Sequence, residues 1–129
     1  MVFASLAEAL RAYVKMPLVW VNGAVTTSME CPEWSEAPLC CFPHTAARRD
    51  IDFNGHINNS AYLIWALDTL PAEHTPDGSP VRIHVTFRKE CMLGTEVEVQ
   101  HFRTGNFTRH IINSAEGIRA EVEIEWGTR

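Results

Sequence analysis

The sequence predicts an α+β domain in which an antiparallel sheet packs on one long helix. Three observations carry this. Residues 61–67, within a helix expected from about 58 to 70, are apolar around its whole circumference. Residues 81–126 fall into runs of period two, and Gly94, Gly105 and Gly117 mark the short links between those runs. Consecutive strands with short links read as an antiparallel meander with one wet face, and a helix that is apolar all round must be covered on most sides.

Taken in order, residues 4–15 predict an N-terminal helix. Leu6, Leu10 and Tyr13/Val14 recur at helical spacing, and Ser5 with Glu8 makes a capping box. Pro17 ends it. Residues 18–26 predict a strand. Residues 28–38, with Pro32 and Pro38, predict a loop, and Leu39 to Arg48 a short, imperfect strand. Residues 50–57 form a turn, Asn58 or Asn59 caps the long helix, and Pro71 follows its end at Leu70. After the turn at 76–80, Val81, Ile83, Val85 and Phe87 alternate with polar residues, as do Thr95, Val97 and Val99. Residues 107–113 are less regular. Ile118, Ala120, Val122, Ile124 and Trp126 complete the pattern.

The 129 residues make one domain, 1–129, and 46% of them are apolar, enough for a real core. A net charge of -5 and a pI near 5.6 argue against nucleic acid, and no basic stripe is visible. Residues 1–16 carry Glu8, Arg11 and Lys15 and lack the unbroken apolar centre of a signal peptide. No run is long enough to span a bilayer, so a cytoplasmic protein is expected. Cys31, Cys40, Cys41 and Cys91 form no C-x-x-C, and neighbours on a strand point opposite ways. Reduced thiols are expected, with no metal and no cofactor.

The most informative stretch runs from Arg49 to Pro71. Asp52, Asn54, His56, Asn58 and Asn59 crowd against the start of the apolar helix. Helix N-termini carry unpaired N–H groups and a positive dipole end, so such a site holds an anion or a developing oxyanion. Each residue alone has a plainer explanation. Asp52-Phe53-Asn54-Gly55 is good turn chemistry, Asn58 and Asn59 cap a helix, and Tyr62 and Trp65 belong to a core. His84, His101 and His110 sit in strands at no ligand spacing.

The set Asp52-x-Asn54-x-His56-x-Asn58-Asn59, followed by Tyr62, Trp65, Leu67-Asp68 and Pro71, resembles the acyl-acyl-carrier-protein thioesterases, hot-dog-fold enzymes of plants and bacteria. Arg88-Lys89-Glu90-Cys91 is similar to that family's Arg-x-Glu-Cys element and falls at the family's distance from the histidine. The resemblance covers about residues 48–91. It implies a hot-dog fold, an antiparallel sheet wrapped around one long central helix; the N-terminal helix expected from periodicity is additional to it. It also implies catalytic roles among Asp52, Asn54, His56, Glu90 and Cys91, with Asn58, Asn59, Tyr62 and Trp65 on the substrate side. The substrate implied is an acyl-carrier-protein thioester. A coenzyme A thioester, as in the broader superfamily, and a non-catalytic acyl-binding module are the alternatives. The family joins two such repeats in one chain with the motif in the second. One repeat alone implies a homodimer, a higher oligomer of dimers, or a partner chain.

Hydrolysis of a thioester needs an activated water, an oxyanion site and an exit for the thiol. His56 suits the base, with an ordinary pKa near ~6.5. Asp52 would orient it or polarise the water, and Asn54 would orient water or carbonyl. A helix-end donor is worth about 3–4 kcal/mol to an oxyanion. Glu90 and Cys91 compete as partner of His56. A Cys–His pair predicts a covalent acyl-enzyme, whereas a carboxylate predicts direct attack by water. On a regular strand Cys91 shares the apolar face with Phe87 and Val85, which favours Glu90; a bulge at 89–91 would reverse that parity. Arg48-Arg49, Arg82, Arg88-Lys89, Arg103 and Arg109 are the candidates for docking an acidic carrier.

Overall fold

A computed structural model describes residues 18–21, 33–51 and 55–127. The expected N-terminal helix lies outside the described residues, as does the expected strand beyond Val21. The described elements are β1 (Leu18–Val21), β2 (Cys40–Thr45), α1 (Asn59–Thr69), β3 (Ser79–Phe87), β4 (Glu96–Thr104), β5 (Phe107–Ser114) and β6 (Gly117–Gly127). Short 3-10 turns stand at Arg48–Asp50 and Ala72–His74.

The strands form one six-stranded sheet in the order β1-β3-β6-β5-β4-β2. β1 runs parallel to β3, and every other neighbouring pair is antiparallel. The meander is therefore shorter than expected. β4, β5 and β6 follow one another, but β3 pairs with β6 instead of β4. Link length explains this. Two-residue turns join β4 to β5 and β5 to β6, whereas residues 88–95 separate β3 from β4 and impose no hairpin register. That link ends one edge of the β3–β6 ladder and carries Glu90 and Cys91.

Two expected core positions lie at the surface. Val81 and Ile118 are both exposed. The β3–β6 register shifts between Pro80 and Arg82, so Pro80 turns inward and Val81 outward. A second shift between Ile112 and Asn113 displaces Ile118. Each bulge inserts one residue and inverts the alternation beyond it.

At 11 residues α1 is too short to persist alone, and packing holds it. Ala61, Tyr62 and Trp65 meet Ala46, Ile57, Cys91, Val97, Val99, Ile112 and Ala120. Leu63 and Ala66 meet Ile83, Val85, Val122, Ile124 and Trp126. Burial of each large side chain is worth about 1.5–3 kcal/mol. Ile64 and Leu67 are only half-buried and Asp68 is exposed, so the sheet covers one side of the helix and its edges.

Candidate active site

The approach to α1 is tied off before the helix begins. Ile51 and Ile57 form an isolated antiparallel bridge. The Asn58 N–H donates to the Asp50 carbonyl at 2.7 Å. Asp50 is nearly buried, and its carboxylate accepts from the Ala47 N–H at 2.9 Å. These contacts clamp both ends of the loop that bears Asp52, Asn54 and His56. Gly55 has φ 77°, a left-handed conformation that costs glycine nothing. Asp52 and Asn54 themselves lie outside the described residues.

His56 and Glu90, far apart in sequence, meet. The His56 Nδ1 lies 2.6 Å from Glu90 Oε1, with the side chains 55% and 45% exposed. An ion pair this wet contributes less than about 1 kcal/mol to folding. The fold therefore has little need of it, whereas chemistry at imidazole has clear use for it. A carboxylate on Nδ1 fixes the ring and its tautomer, and in the neutral ring leaves the basic lone pair on Nε2.

Cys91 goes the other way. It is fully buried among Tyr62, Trp65, Val97 and Ala120. Burial pushes its thiol pKa up, and that outweighs the opposing effects of the Tyr62 hydroxyl and Arg119. A protonated thiol in an apolar setting is a poor nucleophile. The backbone around it is irregular. The Arg88 and Lys89 N–H groups both donate to the Arg119 carbonyl, at 2.9 and 3.1 Å, so two residues at the end of β3 oppose one of β6. The chain has left the ladder before Glu90, and strand parity does not govern residues 90 and 91.

Asn58 caps α1. Its Oδ1 accepts from the Ser60 N–H at 3.1 Å and from Ser60 Oγ at 3.0 Å. Its carbonyl accepts from the Ala61 N–H at 2.9 Å. Two first-turn donors are thereby engaged, and Asn58 and Asn59 are both exposed at the helix end. Tyr62 and Trp65 are each 2% exposed and sit in the core, 5.2 Å apart edge-on. The Tyr62 hydroxyl accepts from the Cys91 N–H at 2.9 Å. Burial pushes its pKa up to about 12, so the phenol stays neutral. The Trp65 ring lies 4.7 Å from that of His44, tilted by 42°; His44 is a β2 residue that nothing in its spacing singled out.

The basic residues are mostly committed. Glu121 takes Arg88 on Oε2 and Arg109 on Oε1, both at 2.8 Å. Lys89 meets Glu116 at 2.7 Å, and Arg82 meets Glu125 at 3.4 Å. Arg48 and Arg49 stand exposed in the 3-10 turn at the foot of the site loop. Nothing in the residue pattern singles out Arg119. It is 7% exposed, and it donates to the Glu90 carbonyl at 2.7 Å. Among the described residues no group of three or more His, Cys, Asp or Glu side chains could hold a metal ion.

The fold defines the class first. The 12:0-ACP thioesterase from Umbellularia californica superposes with TM-score 0.66 at 15% identity, over 84% of this chain and 42% of that one. A putative oleoyl thioesterase from Lactobacillus plantarum gives TM-score 0.60 at 26% identity, over 78% of this chain and 44% of that one. This is the hot-dog fold. The family follows from the sequence: the acyl-ACP thioesterase C-terminal domain model matches residues 43–128, and the chain belongs to that family. A chloroplastic oleoyl-acyl carrier protein thioesterase of Coriandrum sativum is 39% identical over 44 residues, 34% of this chain and 12% of the relative. The chain thus aligns with under half the length of these proteins.

Proposed function

We propose that this domain hydrolyses the thioester of an acyl-acyl-carrier protein. The observation that carries the reading is the 2.6 Å contact between His56 Nδ1 and Glu90 Oε1, formed beside the N-terminus of the sheet-packed helix α1. Family membership supports the same reaction. In the mechanism we infer, His56 Nε2 takes a proton from water as the oxygen attacks the thioester carbon. Glu90 on Nδ1 stabilises the imidazolium that results. Asp52 polarises the water or orients the ring, and Asn54 orients the carbonyl. With Ser60 and Ala61 engaged by Asn58, the Asn59 N–H is the helix-end donor offered to the oxyanion. The tetrahedral adduct collapses, the C–S bond breaks, and the imidazolium returns its proton to the departing thiolate. Cys91 takes no covalent part, and no metal or cofactor enters.

Arg48 and Arg49, at the mouth of the site, are the side chains we assign to an acidic carrier. Tyr62 and Trp65 form the inner wall toward the acyl chain. In the assembly we infer, the domain pairs with a second copy of itself or with a partner chain, and the protein acts in the cytoplasm. Among the described residues no helix is long and apolar enough to cross a membrane.

The test is thiol release from matched acyl-carrier-protein and acyl-coenzyme A substrates over a range of acyl lengths, with mass in solution measured alongside. The carrier-protein substrate is expected to be preferred. His56→Ala and Glu90→Gln are each expected to lower kcat by roughly 10²-fold or more. If Cys91→Ala abolishes release while Glu90→Gln spares it, the nucleophile is the thiol. Ligand binding without any release would make the domain an acyl-binding module.

A further inference from the structure

We propose that Arg119 is a positioning residue, which holds Glu90 at the distance where its carboxylate engages His56. The proposal rests on the thioesterase reading. The side chains of Glu90 and His56 are both about half exposed. Water competes for both groups, so the pair cannot set its own geometry. Glu90 also lies in the irregular link after β3, where no ladder fixes the backbone. Something else must place it.

Arg119 reaches this link from both its backbone and its side chain. Its carbonyl accepts the Arg88 and Lys89 N–H groups, the two residues before Glu90. Its guanidinium then folds back along the same link. Nη1 donates to the Glu90 carbonyl at 2.7 Å, Nε to Ser114 Oγ at 2.8 Å and Nη2 to Glu116 Oε2 at 3.2 Å. Glu116 Oε2 also takes Lys89 Nζ at 2.7 Å, which ties the link to the β5–β6 turn a second time. On the far side, Tyr62 accepts the Cys91 N–H at 2.9 Å. Glu90 is therefore held between β6 and α1, and α1 begins just after His56. The distance from His56 to Glu90 runs through these bonds.

Residue type fits the task. A planar guanidinium addresses three acceptors at once with its orientation fixed, which an ammonium cannot do. A buried cation in a strand is also an expensive way to fill space, since apolar side chains pack there without a charge to compensate. Catalysis supplies the reason, because an error of about 1 Å in a catalytic group costs on the order of 10²-fold in rate.

The experiment is a double-mutant cycle. Arg119→Met is made in the native chain and in Glu90→Gln. Alone, it is expected to lower kcat by roughly 30-fold with KM within about two-fold. In the Glu90→Gln background it is expected to lower the residual kcat by less than about two-fold, since the group it positions is already gone. Equal losses in both backgrounds would mean general structural damage and overturn the proposal. Amide exchange gives a reading free of turnover. Arg119→Met should speed exchange at Cys91 by about ten-fold or more while leaving Val122 unchanged. Unchanged exchange at Cys91 would equally overturn it. If the native chain releases no thiol from any thioester, the thioesterase reading fails, and the exchange arm alone decides whether Arg119 holds the link. Should Arg119→Met not fold, Arg119→Lys, which keeps the charge and loses the fork, takes its place in both arms with the same expected directions.

Discussion

His56 and Glu90 show how much a short motif reveals. Both carried a signal in their residue types and in their separation, and the structure brings them within hydrogen-bond distance. Arg119 carried none. In an alternating strand an arginine reads as a solvent-facing residue, and only the register shift between Ile112 and Asn113, which leaves Arg119 without a β5 partner, turns it inward to the Glu90 carbonyl. Parity also addressed Cys91 on a premise that does not hold there, since the ladder has ended. What buries the thiol is the Tyr62–Cys91 hydrogen bond and the packing of Ala120 and Val97. This burial is measurable. With an aromatic disulfide reagent at pH 8, exposed Cys41 is expected to label in the native protein. Cys91 should label only after denaturant is added, as burial both shields it and disfavours its thiolate. Labelling of native Cys91 at the rate of a free thiol would refute this.

Elements were more legible than the links between them. α1 declared itself by its apolar run, its asparagine cap and its terminating proline, and its observed limits lie within a residue or two of those expected. The strand runs were equally plain. The pairing of β3 was not, because a link of irregular conformation encodes no register, and the bulges at Val81 and Arg119 leave no mark in an alternating pattern. The cap gives a test at this scale. Asn58→Ala removes the acceptor for Ser60 and is expected to cost about 1 kcal/mol in urea unfolding. It should also lower turnover, since the helix end borders the proposed oxyanion site. Asn58→Asp keeps the acceptor and should restore the stability. If Asn58→Ala leaves the urea midpoint unmoved, the cap contributes nothing.

Over the whole molecule, the least expected feature is a line of polar groups through the core. His101 and His110 face each other across β4 and β5, fully buried, with their Nδ1 atoms 2.7 Å apart. The two-residue turn at Gly105-Asn106 dictates that pairing, so the signal was present in the spacing of the hairpin. Metal-ligand spacing does not reveal the pair; the hairpin register does. Burial pushes the pKa of His101 down to about 4 and holds that of His110 well below its usual value. Both are neutral in the native state, whereas the unfolded chain protonates them near ~6.5. The unfolded state thus binds more protons below that pH. Stability is complete above it and falls as pH drops from about 6.5 toward 4, by up to about 1.4 kcal/mol per pH unit for each histidine. Glu121 acts in a lower window. Burial opposes its ionisation, but hydrogen bonds from Arg88 and Arg109 prevail and hold its carboxyl below the usual range, so its contribution is lost only in more acid solution. Urea midpoints at pH 7.5, 6 and 5 should therefore fall in sequence, and a flat profile over that range would contradict neutral, buried imidazoles.

Donor counting along this line has one solution. The Thr69 hydroxyl gives its hydrogen to the Trp65 carbonyl, so His101 Nε2 must donate to Thr69. His101 Nδ1 is then an acceptor, and His110 Nδ1 supplies the proton. His110 Nε2 accepts from Thr108, whose oxygen takes the Trp126 indole N–H. Every arrow in the row points the same way, from indole toward helix carbonyl. Two histidines on facing strands thus carry their single protons on opposite nitrogens, and the nitrogen-15 spectrum of their rings would display one of each tautomer.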